Sequence, residues 1–277
     1  MQTSVIIVNH NSCKLLQQAV NSLYIAAEGI EHELYVVDNA STDKSLEMLA
    51  DNFPEVKVIV NETNLGKAMA YNQALTQAKG EYILMVNADT ICNKASFWKA
   101  IAFMDSHHDA GGLAVRMLSP QGRFLPESIH GITSTWASFF KLMGFAKHLP
   151  KTRLYNRNRK DWVEEFQISE IDILNSDCMF VRRSALNETG LFDERFVMTG
   201  YNIDISYRMR LAGYKNYYFP KAYLINFETQ PFQKLSWNYV KYVYGAMALF
   251  AIKYLFKMPE IKLGSTPQLV TSAFDVK

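Results

Sequence analysis

The sequence predicts an α/β protein built on a mostly parallel, Rossmann-like sheet. Four short β-rich runs occupy residues 4–8, 33–37, 56–60 and 82–86, and most are separated by stretches with apolar residues at helical spacing. This alternation is typical of a doubly wound sheet with helices on its faces. A chain of 277 residues, 49% of them hydrophobic, is long enough to bury a substantial core.

Helices are predicted between the early runs and again toward the end of the chain. The first carries apolar residues from Leu15 to Leu23 behind Ser12, which is a suitable cap, and the next covers residues 68–79 before Gly80. After about residue 111 the alternation breaks down. The later predictions are loops at 122–126 and 151–160, a strand over 171–181, helices over 185–190 and 203–212, an aromatic-rich helix over about 231–256 and a loose tail beyond Pro259.

Composition excludes several classes of function. A net charge of +2 gives no global field for nucleic acid. The three cysteines are widely spaced and match neither a disulfide framework nor a thiolate metal site, which favours a reducing compartment. No export signal is evident at the amino terminus, and the apolar run 242–252 is too short to span a bilayer. We therefore expect a cytoplasmic protein.

Polar residues follow each of the four runs, at residues 9–11, 38–39, 61–64 and 87–89. Asn, Asp and Ser form turns everywhere, but four such loops in succession favour a ligand site, because the carboxyl ends of strands in open α/β sheets line the ligand crevice. Neither GxGxxG nor GxxxxGK[ST] is present. A nucleoside diphosphate would then be held by a divalent cation on a carboxylate, and Asp89 is the candidate.

Six segments in this order resemble family 2 glycosyltransferases, especially their rhamnosyltransferase-like branch. They are VIIVNHNS (5–12), VVDNASTD (36–43), NLGKAMAYNQA (64–74), GEYILMVNADT (80–90), GLFDERF (190–196) and RLAGY (210–214). The resemblance implies a GT-A fold with a nucleotide-sugar-binding half at 1–110, an acceptor-binding half at 111–230, and a C-terminal helix and tail at 231–277. It also implies an inverting transfer from a nucleotide-diphosphate sugar to a glycan or glycolipid hydroxyl, in surface polysaccharide assembly.

The resemblance also implies roles for particular residues. Asp38 would meet the nucleobase with Asn9 near it, and Asp89, as the last acid of the D-x-D-like segment, would bind Mg²⁺ or Mn²⁺ on the donor diphosphate. The full nucleotide-sugar set is Asn9, Asp38, Asn64, Gly66, Asn72, Asn87 and Asp89.

The sequence departs from the family at two places that matter for catalysis. Asn202 stands where the family has the aspartate that takes the acceptor proton, and an amide cannot act as that base. Asp204 is near in sequence, but two positions along a helix face nearly opposite sides, and the resemblance matches it to a second family acid that is usually structural. Asp177, in a segment that borders the family's active site, is a second candidate, and an exposed acid at a strand end explains it equally well. Glu228 is a third. Asn226 stands where a family histidine completes the metal site.

Three further questions stay open from sequence. The two asparagines motivate a second hypothesis, a nucleotide-sugar-binding protein that has lost turnover and acts as a partner or regulator. The basic residues between Lys151 and Lys160 suit either an anionic acceptor or a solvated loop. The apolar face of the last helix suits core packing, which we favour, a homodimer contact or peripheral contact with a membrane.

Overall fold

Nine strands form a single sheet in the part of the chain that the computed structural model describes, which is residues 2–129, 134–144, 165–227 and 237–255. The strands are β1 (Thr3–Asn9), β2 (His32–Asn39), β3 (Lys57–Asn61), β4 (Tyr82–Asn87), β5 (Thr90–Cys92), β6 (Ala110–Leu118), β7 (Ser169–Ile171), β8 (Cys178–Arg182) and β9 (Lys215–Asn226).

Helices connect these strands. They are α1 (Cys13–Ala26), α2 (Ser45–Asn52), α3 (Lys67–Leu75), α4 (Lys94–Ser106), α5 (Ser134–Leu142), α6 (Arg183–Thr189), α7 (Tyr201–Leu211) and α8 (Trp237–Leu255), with a short 3-10 turn at Pro126–Ser128. None of the described helices is both long and apolar enough to pass through a membrane.

The sheet has the order β3-β2-β1-β4-β8-β6-β9-β5, and β7 pairs with β9. The first four strands are all parallel, which confirms the predicted Rossmann-like arrangement. Beyond β4 the sheet is mixed, because β8 runs antiparallel to β4 and to β6 while β6 and β9 are parallel. One sheet therefore crosses the proposed boundary at residue 110, and the division into halves stays a prediction.

Helices cover both faces of the sheet. Successive strand residues point to opposite sides, so each buried strand gives apolar side chains to both layers of helices. Ile6 of β1 packs in the cluster that contains α3, α7 and α8, whereas its neighbours Val5 and Ile7 pack with α1, α2 and α4. Runs buried on both faces read as continuous apolar sequence, which is why β1, β2 and β4 were recognisable.

The C-terminal helix α8 packs on α5 and α7 through aromatic side chains. Phe250 lies against Trp136 and Phe140 of α5 with ring centroids 5.9 and 5.2 Å away, and against Tyr207 of α7 at 5.6 Å. Tyr254 also contacts Tyr207, at 4.8 Å. The favoured interpretation of this helix as a core-packing element is thus confirmed for its inner face.

One predicted strand is wrong. Residues 171–181 do not form a continuous strand, because β7 ends at Ile171, β8 begins at Cys178, and residues 172–177 between them have no strand pairing. Side chains from α7, β4 and β9 hydrogen-bond this segment instead of a neighbouring strand. The predictions for 151–160, for Glu228, for the start of the last helix at 231 and for the tail lie outside the described residues.

Candidate active site

The carboxyl ends of β1, β2, β3 and β4 meet at one edge of the sheet. In the strand register Asn9 lies opposite Asp38, Asn39 lies opposite Asn61, and Asn87 ends β4 on the other side of β1. The predicted convergence of polar strand ends is confirmed, and it follows from parallel pairing, which places like ends of strands together.

Asn9 and Asp38 form a buried pair at this edge. The Asn9 amide donates to Asp38 Oδ1 at 2.9 Å and to Ser41 Oγ at 3.0 Å, and the Ser41 backbone N–H donates to Asp38 Oδ2 at 2.9 Å. Both oxygens of Asp38 therefore accept hydrogen bonds within the protein, and the turn they hold contains Ala40 at a φ of 64°. The pair fixes this turn, and contact with a nucleobase stays a prediction.

Asn39, which the sequence argument did not single out, organises the neighbouring loop. Its Oδ1 accepts from the Asn61 amide at 3.2 Å and from the Leu65 backbone N–H at 3.0 Å, and its own amide donates to Asn64 Oδ1 at 2.9 Å. Asn64 is exposed, and its Oδ1 also accepts from the Gly66 N–H at 3.0 Å. A network of amides thus shapes the loop that leads into α3.

Gly66 sits at a position that only glycine fits. Its φ is +82°, and a Cβ placed there would lie 2.4 Å from the carbonyl oxygen of Val197. The same carbonyl accepts from the backbone N–H of Lys67 at 2.9 Å. The start of α3 therefore contacts the loop that precedes α7. The predicted nucleotide-sugar-binding and acceptor-binding parts of the chain meet at this contact.

Asn72 ties α3 to the same loop. Its amide donates to the Phe192 carbonyl at 2.9 Å and to Glu194 Oε1 at 3.0 Å, and its Oδ1 accepts from the Phe192 N–H at 3.0 Å. These bonds point to a positioning function for Asn72, and its predicted role at the nucleotide stays a prediction.

The end of β4 carries a polar chain of three residues. The Lys67 ammonium donates to Asn87 Oδ1 at 2.8 Å, and the Asn87 amide donates to Asp177 Oδ1 at 2.9 Å. The Asn87 backbone N–H also donates to the Asp177 carbonyl at 3.2 Å. Asn87 is thus held in one orientation between a cation and an anion, and Asp177, the residue before β8, lies beside the D-x-D-like segment.

Two buried tyrosines line the interior side of this group. Burial, followed by the charge of Asp177, raises the pKa of the Tyr71 phenol well above its ordinary range, and Asp89 adds to the effect. The Tyr201 phenol has a raised pKa from burial first and then from Tyr71 and Asp177. Both phenols are neutral at physiological pH, so they present O–H groups rather than negative charge.

The residues around Asp89 fit a hard divalent cation. The Asp89 carbonyl accepts from the Phe227 N–H at 2.9 Å, and Thr90 pairs with Asn226 across β5 and β9. Asn226 Oδ1 is buried and accepts no hydrogen bond from the described residues. One carboxylate and one amide oxygen, completed by diphosphate oxygens and water, form a set that Mg²⁺ accepts. Within the described ranges, no three His, Cys, Asp or Glu side chains group as metal ligands.

Asn202 is buried and uses its amide as a donor. Its Nδ2 donates to the Leu174 carbonyl at 2.8 Å, and Ser206 on the next turn of α7 accepts through Oγ from the Leu174 N–H at 3.0 Å. A carboxylate at position 202 could not make the first bond. The departure from the family is therefore matched to its surroundings.

Asp204 lies on the other side of α7 and is fully buried. Its Oδ2 accepts from Arg208 at 2.9 Å, and its Oδ1 accepts from Lys253 at 2.7 Å and from the Tyr254 hydroxyl at 2.6 Å. These contacts join α7 to α8 and engage both oxygens of the carboxylate. The geometry indicates an anchor, and the predicted catalytic role of Asp204 receives no support from it.

Sequence reasoning missed Lys67, Tyr71 and Asn39. All three lie inside or beside segments that had been quoted for the family resemblance, so their positions were in view. Only the tertiary contacts show that they lie at this edge, since Lys67 reads as an ordinary surface lysine at the start of a helix.

The mixed sheet, with its parallel first half and its helices on both faces, is a GT-A fold. Residues 4–190 match the model of glycosyl transferase family 2, and the chain belongs to that family.

Two curated relatives illustrate the similarity. The poly(ribitol-phosphate) β-N-acetylglucosaminyltransferase TarS of Staphylococcus aureus is 38% identical over 135 residues, which cover 47% of this chain and 23% of that protein. The N-acetylglucosaminyl-diphospho-decaprenol L-rhamnosyltransferase of Mycobacterium tuberculosis is 25% identical over 234 residues, covering 80% of this chain and 75% of that protein. The chain thus matches less than a quarter of the staphylococcal relative's length.

Solved structures show the same fold. Residues 1–349 of S. aureus TarS in complex with UDP-GlcNAc align with a TM-score of 0.64 at 25% identity, over 94% of this chain and 68% of that one. A Pyrobaculum calidifontis mannosyltransferase in complex with GDP-Man and Mn²⁺ aligns with a TM-score of 0.56 at 18% identity, over 81% of this chain and 56% of that one. The second comparison shows the fold alone.

Proposed function

We propose that this protein transfers a sugar from a nucleoside-diphosphate donor to a hydroxyl of a glycan or glycolipid, with inversion, in surface polysaccharide assembly. The observation that carries the proposal is the gathering of Lys67, Asn87 and Asp177 at the end of β4, two residues before Asp89. Family membership and the names of the staphylococcal and mycobacterial relatives support it.

The donor diphosphate would lie at this edge of the sheet. Asp89 and Asn226 would hold Mg²⁺ or Mn²⁺, which supplies charge neutralisation to the departing diphosphate when it is bound. The structural neighbour with GDP-Man and Mn²⁺ supports a metal in this fold. Lys67 places a second positive charge at the same edge, and its ammonium can leave Asn87 to meet a phosphate oxygen.

The nucleoside would lie toward the Asn9–Asp38 pair, with Asn64 and Gly66 forming the wall beside it. The amide network of Asn39 and the close contact between Gly66 and Val197 hold this wall in place without a ligand. A wall that is already ordered loses little conformational freedom on binding, which favours donor affinity.

A second candidate function is a nucleotide-sugar-binding protein without turnover. The observation that favours it is the pair of amides at 202 and 226, where the family resemblance places a base and a metal-binding histidine. It predicts donor binding with no transfer to any acceptor. The two candidates therefore separate in a transfer assay and not in a binding assay.

The outer face of α8 offers a further contact, and we propose peripheral membrane association rather than a homodimer for it. Trp237, Val240, Tyr244 and Ile252 are exposed along this face, at 88%, 36%, 57% and 60% of their surface. Aromatic residues with an aliphatic stripe suit a membrane interface next to a lipid-linked acceptor. Cosedimentation with anionic vesicles tests this, and a Trp237→Ser, Tyr244→Ser double variant should lose the binding.

We place the protein in the cytoplasm, on the basis of composition.

Calorimetric titration tests the donor site first. UDP, dTDP, GDP and their sugar conjugates are titrated with and without Mn²⁺ into wild type, Asp89→Ala and Asp51→Ala, which removes an exposed carboxylate on α2 as a matched control. We expect metal-dependent binding of one nucleotide that is lost in Asp89→Ala and kept in Asp51→Ala. If none of the nucleotides binds wild type, the proposal is overturned.

A transfer assay then follows with the donor that binds. Poly(ribitol phosphate) and a polyprenyl-diphosphate-linked N-acetylglucosamine serve as acceptors, chosen from the names of the two relatives. Transfer to either acceptor supports the enzyme, and donor binding with transfer to neither acceptor supports the second candidate.

A further inference from the structure

The irregular segment 172–177 is held in place by side chains from three different elements. The donors and acceptors that hold it are Tyr201 (to the Ser176 carbonyl, 3.3 Å), Asn202 (to the Leu174 carbonyl, 2.8 Å) and Ser206 (from the Leu174 N–H, 3.0 Å) on α7, Asn216 (to the Asp172 carbonyl, 3.0 Å) on β9, and Asn87 (to Asp177 Oδ1, 2.9 Å) on β4. Such a set fixes a backbone that, apart from the bond between the Asn87 N–H and the Asp177 carbonyl, makes no strand pairing.

Asp177 ends this segment and places a carboxylate at the edge of the sheet where the parallel strands end. Its backbone N–H donates to Asn175 Oδ1 at 2.6 Å, which turns the side chain toward β4, where Oδ1 accepts from Asn87. Oδ2 accepts no hydrogen bond from the described residues, and the residue is partly exposed. One oxygen is thus fixed and the other is available to a hydroxyl arriving from solvent.

The two other candidates do not have this arrangement. Asn202 is 5% exposed and its amide donates to a carbonyl, so it neither accepts a proton nor faces an acceptor. Asp204 is 0% exposed, and Arg208, Lys253 and Tyr254 surround its carboxylate. A general base must reach the proton that it removes within hydrogen-bond distance.

We infer that Asp177 is the general base of the transfer reaction, and that Asn87 and Asn202 are positioning residues that hold it. The inference rests on the proposed function. As the acceptor oxygen forms its bond to the anomeric carbon, its proton passes to Asp177 Oδ2. The bond from the anomeric carbon to the diphosphate oxygen breaks at the same time, and the nucleoside diphosphate leaves with the electron pair.

A base at Asp177 accounts for the amides at positions 87 and 202. Asn87 provides the N–H that an aspartate there would lack, and an aspartate would set two carboxylates against each other across 2.9 Å. Asn202 donates to Leu174, three residues before Asp177, which fixes the segment from the opposite end. The base then lies on the residue before β8 and not on α7, and Asn87 and Asn202 hold it there.

The test compares Asp177→Asn and Asn202→Asp with wild type in the transfer assay and in the donor titration. Asp177→Asn preserves shape and an oxygen that accepts from Asn87, so we expect donor affinity within about twofold of wild type and kcat for transfer lower by about 10²–10⁴. Asn202→Asp loses its bond to Leu174, and we expect kcat to fall by about tenfold or more with donor affinity retained.

Each opposite result overturns the assignment. If Asn202→Asp raises kcat, the base belongs on α7, and if Asp177→Asn abolishes metal-dependent donor binding, Asp177 belongs to the donor site. Full transfer by Asp177→Asn also overturns it and leaves the proposed function intact, whereas a wild type that binds donor but transfers nothing overturns both. Asp177→Ser serves if Asp177→Asn does not fold, as judged by thermal denaturation, and Asp51→Ala is the control for loss of an acidic group.

Discussion

Removing the buried charge of Asp204 should destabilise the protein without touching the chemical step. The carboxylate is fully buried and accepts three hydrogen bonds, one each from Arg208, Lys253 and Tyr254, and Arg208 Nη2 also lies 2.8 Å from its Oδ2 as an ion pair. Asp204→Asn keeps the shape but leaves Arg208 without its anion and Lys253 with Asp193 alone, and it directs an amide N–H at another donor.

The magnitude follows from the class of interaction. Breaking a buried ion pair by removing one partner costs about 3–5 kcal/mol, and Lys253 retains Asp193 at 2.9 Å, which places the expected loss near the lower end, at about 3 kcal/mol. For a chain of this size that corresponds to a fall in Tm of about 6 °C or more. The exposed pair Lys44 and Glu47, at 83% and 65% side-chain exposure, gives the control, and Glu47→Gln should change the free energy of unfolding by less than about 0.5 kcal/mol.

The assay is denaturant unfolding of wild type and both variants, followed by transfer kinetics at a temperature where each is folded. We expect Asp204→Asn to keep at least about a third of the wild-type kcat there. An Asp204→Asn protein as stable as wild type would refute the anchor between α7 and α8. A stable variant with kcat lower by about 10² or more would show that Asp204 acts in catalysis.

Three further predictions concern other parts of the molecule. Burial tends to raise the pKa of Glu33, but hydrogen bonds from Lys57, Lys79, Ser4 and Tyr35 outweigh it and lower that pKa to about 2 from an ordinary 4.5. The stability that Glu33 contributes is therefore present above about pH 5 and lost as the pH falls toward 2. The free energies of unfolding of wild type and Glu33→Gln should differ by up to about 3 kcal/mol at pH 7 and become equal in acid. A difference that does not change with pH would contradict this. Gly66→Ala should lower stability by about 1–3 kcal/mol and weaken donor binding, because its methyl group meets the Val197 carbonyl at a left-handed φ, and calorimetry showing unchanged affinity would count against the role of this wall. Asn226→His should lower the Mn²⁺ concentration needed for half-maximal donor binding, since imidazole binds such ions more strongly than an amide, and an unchanged metal dependence would exclude position 226 from the metal site.

The sequence was a good guide to the parallel part of the fold. Strands β1, β2, β3 and β4 are short runs whose residues favour strands, and parallel pairing of such runs allows only one arrangement of their polar ends. The placement of Asn9, Asp38, Asn61 and Asn87 on one edge could therefore be predicted. Strands β6 and β9 could not, since β9 carries Pro220 within a mixed polar and aromatic stretch that has no clear period.

The candidate site divides in the same way. The sequence by itself determined the identity of the groups at the edge, including Asp89, and the two positions where amides replace the family's groups, because these depend on residue type and chain order. Only the tertiary structure decided what each group does: Asp177 meets Asn87 across 90 positions, Asn202 holds Leu174 across 28, and Asp204 meets Tyr254 across 50. Hydrogen bonds between residues so far apart depend on how α7, α8 and β8 pack, and local propensity does not encode that packing.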